Sequence, residues 1–265
     1  MTEPLRAHDD SSALDPPLPA DAVDARPPVA NEPLGLAPVA LPVLPQVLVV
    51  DVGGTHLKVS CSPSPEVRKV VSGPTMTAEG MVHAVQALTA DWAYGAVSIG
   101  YPGLVRQGRI VREPFNLGPG WTQLDFAAAF GKPVKLLNDA AMQALGSYTG
   151  GRMLFLGLGT GLGSALILNG VVQPLELAHL PYRKGRTYED YAGVVGQRRL
   201  GRRRWRKAVI RMIVDLSAAL EPEYVVVGGG EAGKLKNLPL NCRLGSNADA
   251  STGGLRMWTD AGLGI

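Results

Sequence analysis

The sequence is poor in the features that mark secreted, membrane and zinc-binding proteins. It holds only two cysteines in 265 residues, Cys61 and Cys242. Two cysteines so far apart provide neither a disulfide framework nor the closely spaced pairs of a zinc site. The N-terminal residues show no basic region followed by an apolar core, so no secretory signal is expected. A reduced, cytoplasmic protein is the simplest interpretation.

Long apolar runs and a strong charge imbalance are also lacking. The most apolar early stretch, residues 34–50, is interrupted by Pro38, Pro42 and Pro45, which makes it a poor membrane span. The net charge of +3 is too small to indicate a nucleic-acid partner by itself. Neither a membrane nor a nucleic acid is therefore expected as a partner.

Proline is concentrated at one end of the chain. Ten of the 21 prolines fall within residues 1–45, which show neither helical nor strand periodicity. This segment is predicted to be a disordered leader. We expect an N-terminal α/β lobe over residues 46–139 and a C-terminal α/β lobe over residues 140–265.

Residues 47–60, VLVVDVGGTHLKVS, predict a strand, a glycine turn and a second strand. The turn Gly53-Gly54-Thr55 lets backbone N–H groups approach a ligand closely. Asp51, at the end of the first strand, suits a hydrated metal ion that accompanies a phosphate. An ordinary hairpin explains the stretch equally well when it is considered alone.

A similar pattern returns about a hundred residues later. An apolar run, 153–156, is followed by the glycine turn GLGTGLG over 157–163 and by a returning strand over 164–168. Two related α/β lobes, each with a hairpin that grips phosphate and with a cleft between them, would produce this layout.

Two further glycine patterns do not carry nucleotide motifs. Gly228, Gly230 and Gly233 have dinucleotide-motif spacing, but no βαβ unit can follow in the short remainder. Gly233-Lys234 ends most of a Walker A loop, yet Leu235 stands where a Ser or Thr would bind magnesium.

Seven motifs in order resemble the ROK family of sugar kinases, which belongs to the actin/hexokinase/Hsp70 superfamily. They are Asp51-Val-Gly-Gly-Thr55, Asn116-Leu-Gly-Pro-Gly-Trp121, Leu137-Asn-Asp-Ala140, Gly157-Leu-Gly-Thr-Gly-Leu-Gly163, Glu176-Leu-Ala-His179, Glu189-Asp-Tyr-Ala192 and Val225-Val-Val-Gly-Gly-Gly230. The chain looks most similar to the polyphosphate glucokinase branch. The resemblance implies an α/β, two-lobed actin-like/ribonuclease H-like ATPase fold with an interlobe cleft.

The resemblance also implies a role for each motif. Asp139 would be the general base, and Asp51 would help to hold Mg²⁺. Five residues would bind sugar hydroxyls: Asn116, Asn138, Glu176, His179 and Glu189. Donor phosphate or nucleotide would be bound by Gly53, Gly54, Thr55, Gly159, Thr160, Gly161, Gly229 and Gly230.

The chemistry of the residues is compatible with these roles but leaves alternatives. Asp139 ends a predicted strand just before a helix, where it could equally be a helix N-cap. Glu176 and His179 are three residues apart, so they would share one face of a helical turn. A sugar ring needs both hydrogen-bond donors and acceptors, which Glu, His and Asn supply. Taken alone, His179 would more often be a loop histidine.

The chain departs from the family between His179 and Glu189. Most ROK proteins carry a cysteine-rich zinc loop there, whereas residues 180–188 contain no cysteine, so no zinc is expected. The polyphosphate branch also lacks that loop. Leu175 and Ala178 stand where the family usually has glycine, which puts the identity of the sugar in more doubt than the reaction.

A basic stretch with eight cationic residues is predicted to lie in one long helix over residues 197–220 and its lead-in. These residues are Arg198, Arg199, Arg202, Arg203, Arg204, Arg206, Lys207 and Arg211. A solvated helical face and a polyanion-binding surface account for it equally well.

These observations predict a sugar kinase that forms glucose 6-phosphate from glucose and ATP or polyphosphate. The alternative is a non-catalytic sugar-sensing or nucleic-acid-binding protein of the same fold. The family resemblance suggests a homodimer. The residues leave open the donor, the sugar, the oligomeric state and the roles of the basic stretch and the leader.

Overall fold

The computed structural model describes residues 46–246 and 248–264. The leader predicted for residues 1–45 lies outside this part of the chain and stays a prediction.

The first half of the described chain forms seven strands and two helices. In chain order they are β1 (Val47–Val52), β2 (His56–Cys61), β3 (Val67–Val71), α1 (Ala78–Leu88), β4 (Ala96–Tyr101), β5 (Val105–Arg106), β6 (Arg109–Ile110), α2 (Phe126–Phe130) and β7 (Val134–Asn138).

The second half forms five helices and five strands. They are α3 (Asp139–Ser147), β8 (Arg152–Leu158), β9 (Leu162–Leu168), β10 (Val171–Leu175), α4 (Glu189–Ala192), α5 (Val194–Leu200), α6 (Arg202–Leu220), β11 (Tyr224–Gly228), β12 (Cys242–Leu244) and α7 (Asp249–Thr259). Two short 3-10 helices, Leu177–His179 and Ala232–Lys234, complete the elements.

Two five-stranded sheets repeat one design. The first has the order β3-β2-β1-β4-β7, and the second has the order β10-β9-β8-β11-β12. In each sheet the first three strands pair antiparallel and the last two join in parallel. The predicted pair of strand–glycine turn–strand units is therefore confirmed, since β1–β2 and β8–β9 occupy the same place in the two sheets.

Three apolar clusters place the helices against these sheets. One lies between the first sheet and helices α1 and α2, around the buried side chain of Trp121. A second lies between the two sheets, where α3 and α7 pack. The third covers the outer side of the second sheet, where α6 inserts Trp205 and an apolar stripe. Full burial of each such side chain contributes about 1.5–3 kcal/mol, so these layers hold the strand ends in fixed positions.

Helix starts follow local capping signals. Thr77 caps α1, because its side chain accepts a hydrogen bond from the N–H of Gly80 at 3.0 Å. Asp125 caps α2 by accepting from the N–H of Ala128 at 3.0 Å. Helix α2 ends at Gly131, which has a φ of +61°, a conformation that glycine adopts without strain.

The single basic helix predicted over residues 197–220 is wrong. The chain forms two helices there, α5 and α6, separated by Gly201 with φ +72° and ψ 154°. These angles lie far from helical values and are open mainly to glycine, so the helical hydrogen-bond pattern is interrupted at this residue.

Helix α7 returns to the first sheet. Ser98 of β4 donates a hydrogen bond to the carbonyl of Gly254 at 2.6 Å, and Ser60 of β2 bonds Ser251 at 2.6 Å. A Cβ atom on Gly253 would overlap the Met142 carbonyl of α3, so α3 and α7 cross at the closest approach that backbones allow. The expected division at residues 139 and 140 stays a prediction; α7, from the second half of the chain, contacts β1 and β4 of the first sheet.

Across residues 46–246 and 248–264, none of the helices combines the length and the apolarity that a bilayer crossing requires.

Candidate active site

The first glycine turn joins β1 to β2 and brings Asp51 opposite Lys58. The Lys58 Nζ lies 3.2 Å from the Asp51 Oδ2, and the Asp51 side chain is only 13% exposed. The N–H of Gly53 donates to the carbonyl of His56 at 3.1 Å, which closes the turn. Ser72 Oγ donates to the carbonyl of Gly53 at 2.6 Å and fixes it from outside. Asp51 is therefore held near the carboxyl end of the central strand β1.

The same turn lies against one of the predicted sugar-binding residues. A Cβ atom on Gly54 would stand 3.3 Å from the Cβ of Asn116, so the two residues are neighbours. Thr55 is exposed at the tip, with its hydroxyl 3.3 Å from the His56 ring. The predicted phosphate turn and Asn116 thus share one side of the site.

The second glycine turn joins β8 to β9 and lies against Glu189. The N–H of Gly159 donates to the carbonyl of Gly161 at 3.1 Å. The carboxylate of Glu189 accepts from the N–H of Leu162 at 3.2 Å, and it fills the space that a side chain on Gly161 would need. Thr160 is exposed at the tip. The predicted sugar-binding residue Glu189 therefore supports this turn directly.

Asn138, not Asp139, is the N-cap of helix α3. The Oδ1 of Asn138 accepts from the N–H of Ala141 at 3.1 Å, and its Nδ2 donates to the carbonyl of Gly103 at 3.1 Å. Asp139 is the first helical residue, and its Oδ1 accepts from the N–H of Ala140 at 2.8 Å. The capping alternative for Asp139 is thereby removed. Both polar groups of Asn138 are engaged within the protein.

The carboxyl group of Asp139 has a strongly perturbed pKa. Burial and, to a smaller extent, the negative charges of Asp51 and Glu176 together raise this pKa from its ordinary value to about 7. The hydrogen bond from the N–H of Ala140 acts in the opposite direction but is outweighed. A carboxylate with a pKa near 7 is matched to accepting a proton at neutral pH. The strand end of β7 therefore presents a candidate base that faces two further carboxylates.

Glu176 and His179 share one short 3-10 turn, as the sequence predicts. The Nδ1 of His179 lies 3.8 Å from the Oε2 of Glu176, and both side chains are largely exposed. Ser164 anchors the start of the turn, since its hydroxyl donates to the Leu175 carbonyl at 2.8 Å and accepts from the Leu177 N–H at 3.2 Å. The pair is thus open to a ligand from solvent.

An aromatic hairpin connects His179 to Glu189. The N–H of Tyr182 donates to the Arg186 carbonyl at 2.8 Å. The ring of Tyr182 lies 5.0 Å from that of Tyr188 and 4.9 Å from that of Tyr191. Three packed tyrosine rings thus organise the segment between His179 and Glu189.

The predicted donor glycines line a pocket of about 300 Å³. Its walls are formed by Gly228, Gly229, Gly230, Ala232, Gly233, Leu244, Gly245 and Ser246. Gly229 has a φ of +83°, and a Cβ atom there would overlap the backbone of Leu158, which belongs to the second glycine turn. The pocket therefore adjoins that turn.

Several residues of the site were missed from the sequence. Lys58 stands in no functional motif, yet its ammonium group contacts Asp51, which lies opposite it in the hairpin register. Gln197, Glu231 and Lys234 form a hydrogen-bonded group beside the pocket, with Gln197 Nε2 donating to Glu231 Oε2 at 2.6 Å. No sequence motif points to that group.

The comparisons with known proteins agree with this arrangement. The model of the ROK family matches residues 47–174, which include both glycine turns, Asn116 and Asp139. Residues 47–174 therefore resemble a ROK-family domain. Outside that range, Glu176, His179, Glu189 and the pocket glycines continue the order of motifs found in the sequence.

Two relatives illustrate the similarity of this chain to known proteins. The polyphosphate glucokinase of Mycobacterium tuberculosis (strain ATCC 25177 / H37Ra) is 31% identical over 150 residues, covering 51% of this chain and 56% of the relative. The chain thus spans about half the length of the curated relative it matches. The crystal structure of the inorganic polyphosphate/ATP-glucomannokinase from Arthrobacter sp. strain KM superposes with a TM-score of 0.69 at 26% identity, covering 81% of this chain and 98% of that one.

The fold is not restricted to enzymes. A ROK family transcriptional regulator, described as a homologue of the E. coli MLC protein, superposes with a TM-score of 0.62 at 16% identity, covering 82% of this chain and 78% of that one. The two-lobed actin-like α/β fold expected from the sequence is confirmed. The chemistry must be argued from the site itself.

Proposed function

We propose that this chain is a sugar kinase that transfers a phosphoryl group from ATP or polyphosphate to a hexose hydroxyl, with glucose converted to glucose 6-phosphate. The observation that carries the proposal is the carboxylate of Asp139. It stands at the start of α3 without capping the helix, and its pKa is raised to about 7. The names of the relatives, a polyphosphate glucokinase and a polyphosphate/ATP-glucomannokinase, support the choice of donor and acceptor.

The proposed step forms one bond and breaks one. The O6 of the hexose attacks the terminal phosphorus of the donor, and the bridging P–O bond to the rest of the donor breaks. Asp139 accepts the proton of the hydroxyl, and the shortened polyphosphate or ADP leaves with the bridging oxygen and its charge. Because phosphoryl transfer depends mainly on positioning and charge neutralisation, a carboxylate is a strong enough base for this step.

The acceptor side is assigned to Asn116, Glu176, His179 and Glu189. Glu176 and His179 are exposed on one turn, where they can exchange hydrogen bonds with adjacent hydroxyls. Asn138 can join them only if its Nδ2 exchanges the Gly103 carbonyl for a hydroxyl, since its Oδ1 caps α3. Its second role is to set the start of the helix and thus the place of Asp139.

The donor side is assigned to the two glycine turns and to the glycine pocket. Gly53, Gly54 and Thr55 lie in the first turn, and Gly159, Thr160 and Gly161 lie in the second. Gly229 and Gly230 line a pocket of about 300 Å³ next to the second turn, which is large enough for part of a nucleotide or a short phosphate chain.

Asp51 is the residue that would hold Mg²⁺. Mg²⁺ is usually held by one or two carboxylates together with water and substrate phosphates, and Asp51 supplies such a carboxylate beside the site. Among the described residues, no three His, Cys, Asp or Glu side chains cluster to form a metal cage. When bound, the ion would neutralise charge on the donor phosphates.

The test is a coupled assay for glucose 6-phosphate with glucose, Mg²⁺ and either ATP or long-chain polyphosphate. Asp139→Asn is expected to lower kcat by about 10²–10⁴, the usual contribution of a general base. Asp125→Asn is the matched control, because Asp125 also starts a helix but only caps α2. An Asp139→Asn variant with near-full activity would overturn the assignment.

The non-catalytic alternative predicts a different result in the same assay. A sugar sensor would bind glucose, as measured by calorimetry, yet form no glucose 6-phosphate with either donor. The superposition with a transcriptional regulator is the observation that favours this alternative. Turnover that disappears in Asp139→Asn would exclude it.

A further inference from the structure

Helices α5 and α6 present a dense set of exposed cations. Arg198 lies in the last turn of α5, and Arg202, Arg203, Arg204 and Lys207 fall in the first two turns of α6; all five are exposed. We call these five residues the basic surface. Trp205, which is fully buried, holds the start of α6 against the second sheet.

The cations of the basic surface have no direct polar partner in the described part of the chain. Within residues 46–246 and 248–264, its five side chains form no ion pair and donate no hydrogen bond. Neighbouring cations do have partners: Arg199 donates to the Asp190 carbonyl at 2.8 Å, and Arg211 pairs with Asp215 at 2.9 Å. The α6 N-terminus also disfavours positive charge. The positive charges at the start of α6 therefore do not stabilise the helix by themselves.

The basic surface is continuous with the wall of the glycine pocket. Gln197, next to Arg198, donates to Glu231 Oε2 at 2.6 Å and accepts from Lys234 Nζ at 3.1 Å. Arg206, one helical turn beyond Arg202, donates to the Lys234 carbonyl. Since Ala232 and Gly233 line the pocket, the cations begin at its rim.

We propose that the basic surface binds the part of an inorganic polyphosphate chain that extends beyond the pocket. The inference rests on the proposed function for the placement of the donor end in the pocket. A linear polyphosphate carries about one negative charge per phosphate, which matches a row of guanidinium groups that bind phosphate oxygens in pairs. The released counterions add to the binding free energy.

Polyphosphate fits this surface better than single-stranded RNA does. Proteins that bind single-stranded nucleic acid usually combine cations with exposed aromatic rings on which bases stack. The aromatic residues nearest to the cations, Trp205 and Tyr191, are both buried. The surface therefore offers charge without a stacking platform.

The direct test is binding, independent of catalysis. Labelled polyphosphate of long chain length is titrated with the full chain by fluorescence anisotropy at several salt concentrations. The triple variant Arg203→Gln, Arg204→Gln and Lys207→Gln is expected to raise Kd by about tenfold or more and to reduce the salt slope by about 2. Folding should be retained, because the three side chains are exposed and Gln suits a helix start better than a cation does.

The matched control removes the same charge elsewhere. The control is a second triple variant, made of Arg106→Gln, Arg109→Gln and Lys132→Gln, at exposed positions of the first lobe. It should change the Kd for polyphosphate by less than about twofold. Equal losses in both triple variants would show that only net charge matters and would overturn the proposal. The proposal would also be overturned if RNA of matched length bound as tightly as polyphosphate and lost its binding in the basic-surface variant.

A kinetic arm separates this proposal from the proposed function. In the triple variant, KM should rise for long-chain polyphosphate and stay unchanged for tripolyphosphate, ATP and glucose, because short donors end within the pocket. Equal effects on tripolyphosphate would contradict the placement. If the chain shows no kinase activity but the triple variant still loses polyphosphate binding, the proposed function fails while the basic surface stands.

Discussion

The two glycine turns have the same place in their sheets but different surroundings. The first turn carries its own carboxylate, Asp51, which pairs with Lys58 and raises the pKa of Asp139. The second turn has no acidic residue of its own and rests on the carboxylate of Glu189, supplied by helix α4. The two turns thus differ in charge: the first adjoins the carboxylate proposed to hold the metal, and the second rests on a carboxylate proposed to bind the sugar.

The largest expected effect comes from removing the charge of the first turn. Asp51→Asn should lower kcat by at least about a hundredfold, because the carboxylate that would hold Mg²⁺ is lost. Steady-state kinetics with varied Mg²⁺ measures this, and the Mg²⁺ concentration for half-maximal rate should rise. Glu189→Gln serves as the comparison at the second turn and should act mainly on the KM for glucose. Equal kcat losses in both variants would contradict the difference between the turns.

Within the second turn, two glycines allow a matched pair of substitutions. A methyl group on Gly161 would displace the flexible Glu189 carboxylate, so Gly161→Ala should raise the KM for glucose by about tenfold with little change in Tm. A Cβ atom on Gly159 meets no protein atom within 4 Å, so Gly159→Ala should leave the KM for glucose unchanged and raise that for the donor. The reverse pattern would mean that the turn has been assigned to the wrong substrate.

The pH dependence of kcat tests the influence of the first turn on the base. Because Asp139 must be ionised to accept a proton, kcat should rise with pH through the pKa of about 7. Asp51→Asn removes a negative charge that raises this pKa, so the acid limb should move to lower pH. Asp125→Asn should leave the limb in place. A limb that stays fixed in Asp51→Asn would show that the two carboxylates do not interact.

The smallest expected effect is on stability. Asp139 has a folded-state pKa of about 7, above its ordinary value, so its ionisation opposes folding. This cost is fully present above pH 7 and fades as the pH falls towards the ordinary pKa. Asp139→Asn should therefore raise Tm at pH 8 and lose that advantage near pH 4, as measured by calorimetry. A lower Tm at pH 8 would mean that the carboxylate stabilises the fold.

Local signals in the sequence predicted the elements that local physics determines. Glycine turns between apolar runs indicated both hairpins. Thr77 at the start of α1 and Asn169-Gly170 between β9 and β10 are local signals of the same kind. The break at Gly201 was missed, because a single glycine within a helical pattern is compatible with either a helix or a stop. Such an ambiguity is resolved only by the packing of Trp205 and its neighbours.

The site was predictable to the extent that its residues stand in motifs. Motif order indicated Asp51, Asp139 and Glu189, but not which of Asn138 and Asp139 caps α3, since both can do so. The pairing of Lys58 with Asp51 depends on strand register, and the contact of Gln197 with Glu231 joins residues 34 positions apart. Contacts of this kind depend on tertiary structure and carry no local signature.

The return of α7 to the first sheet has a consequence for protein synthesis. Val47 and Val49 of β1 belong to the same apolar cluster as Met257, and a Cβ atom on Gly254 would overlap Val49. Translation proceeds at about 5–20 residues per second, so the roughly 200 residues between β1 and α7 take about 10–40 s to emerge. During that interval the face of β1 that packs against α7 lacks its final cover. The nascent chain must shield that face, on its own or with a chaperone, until α7 leaves the ribosome.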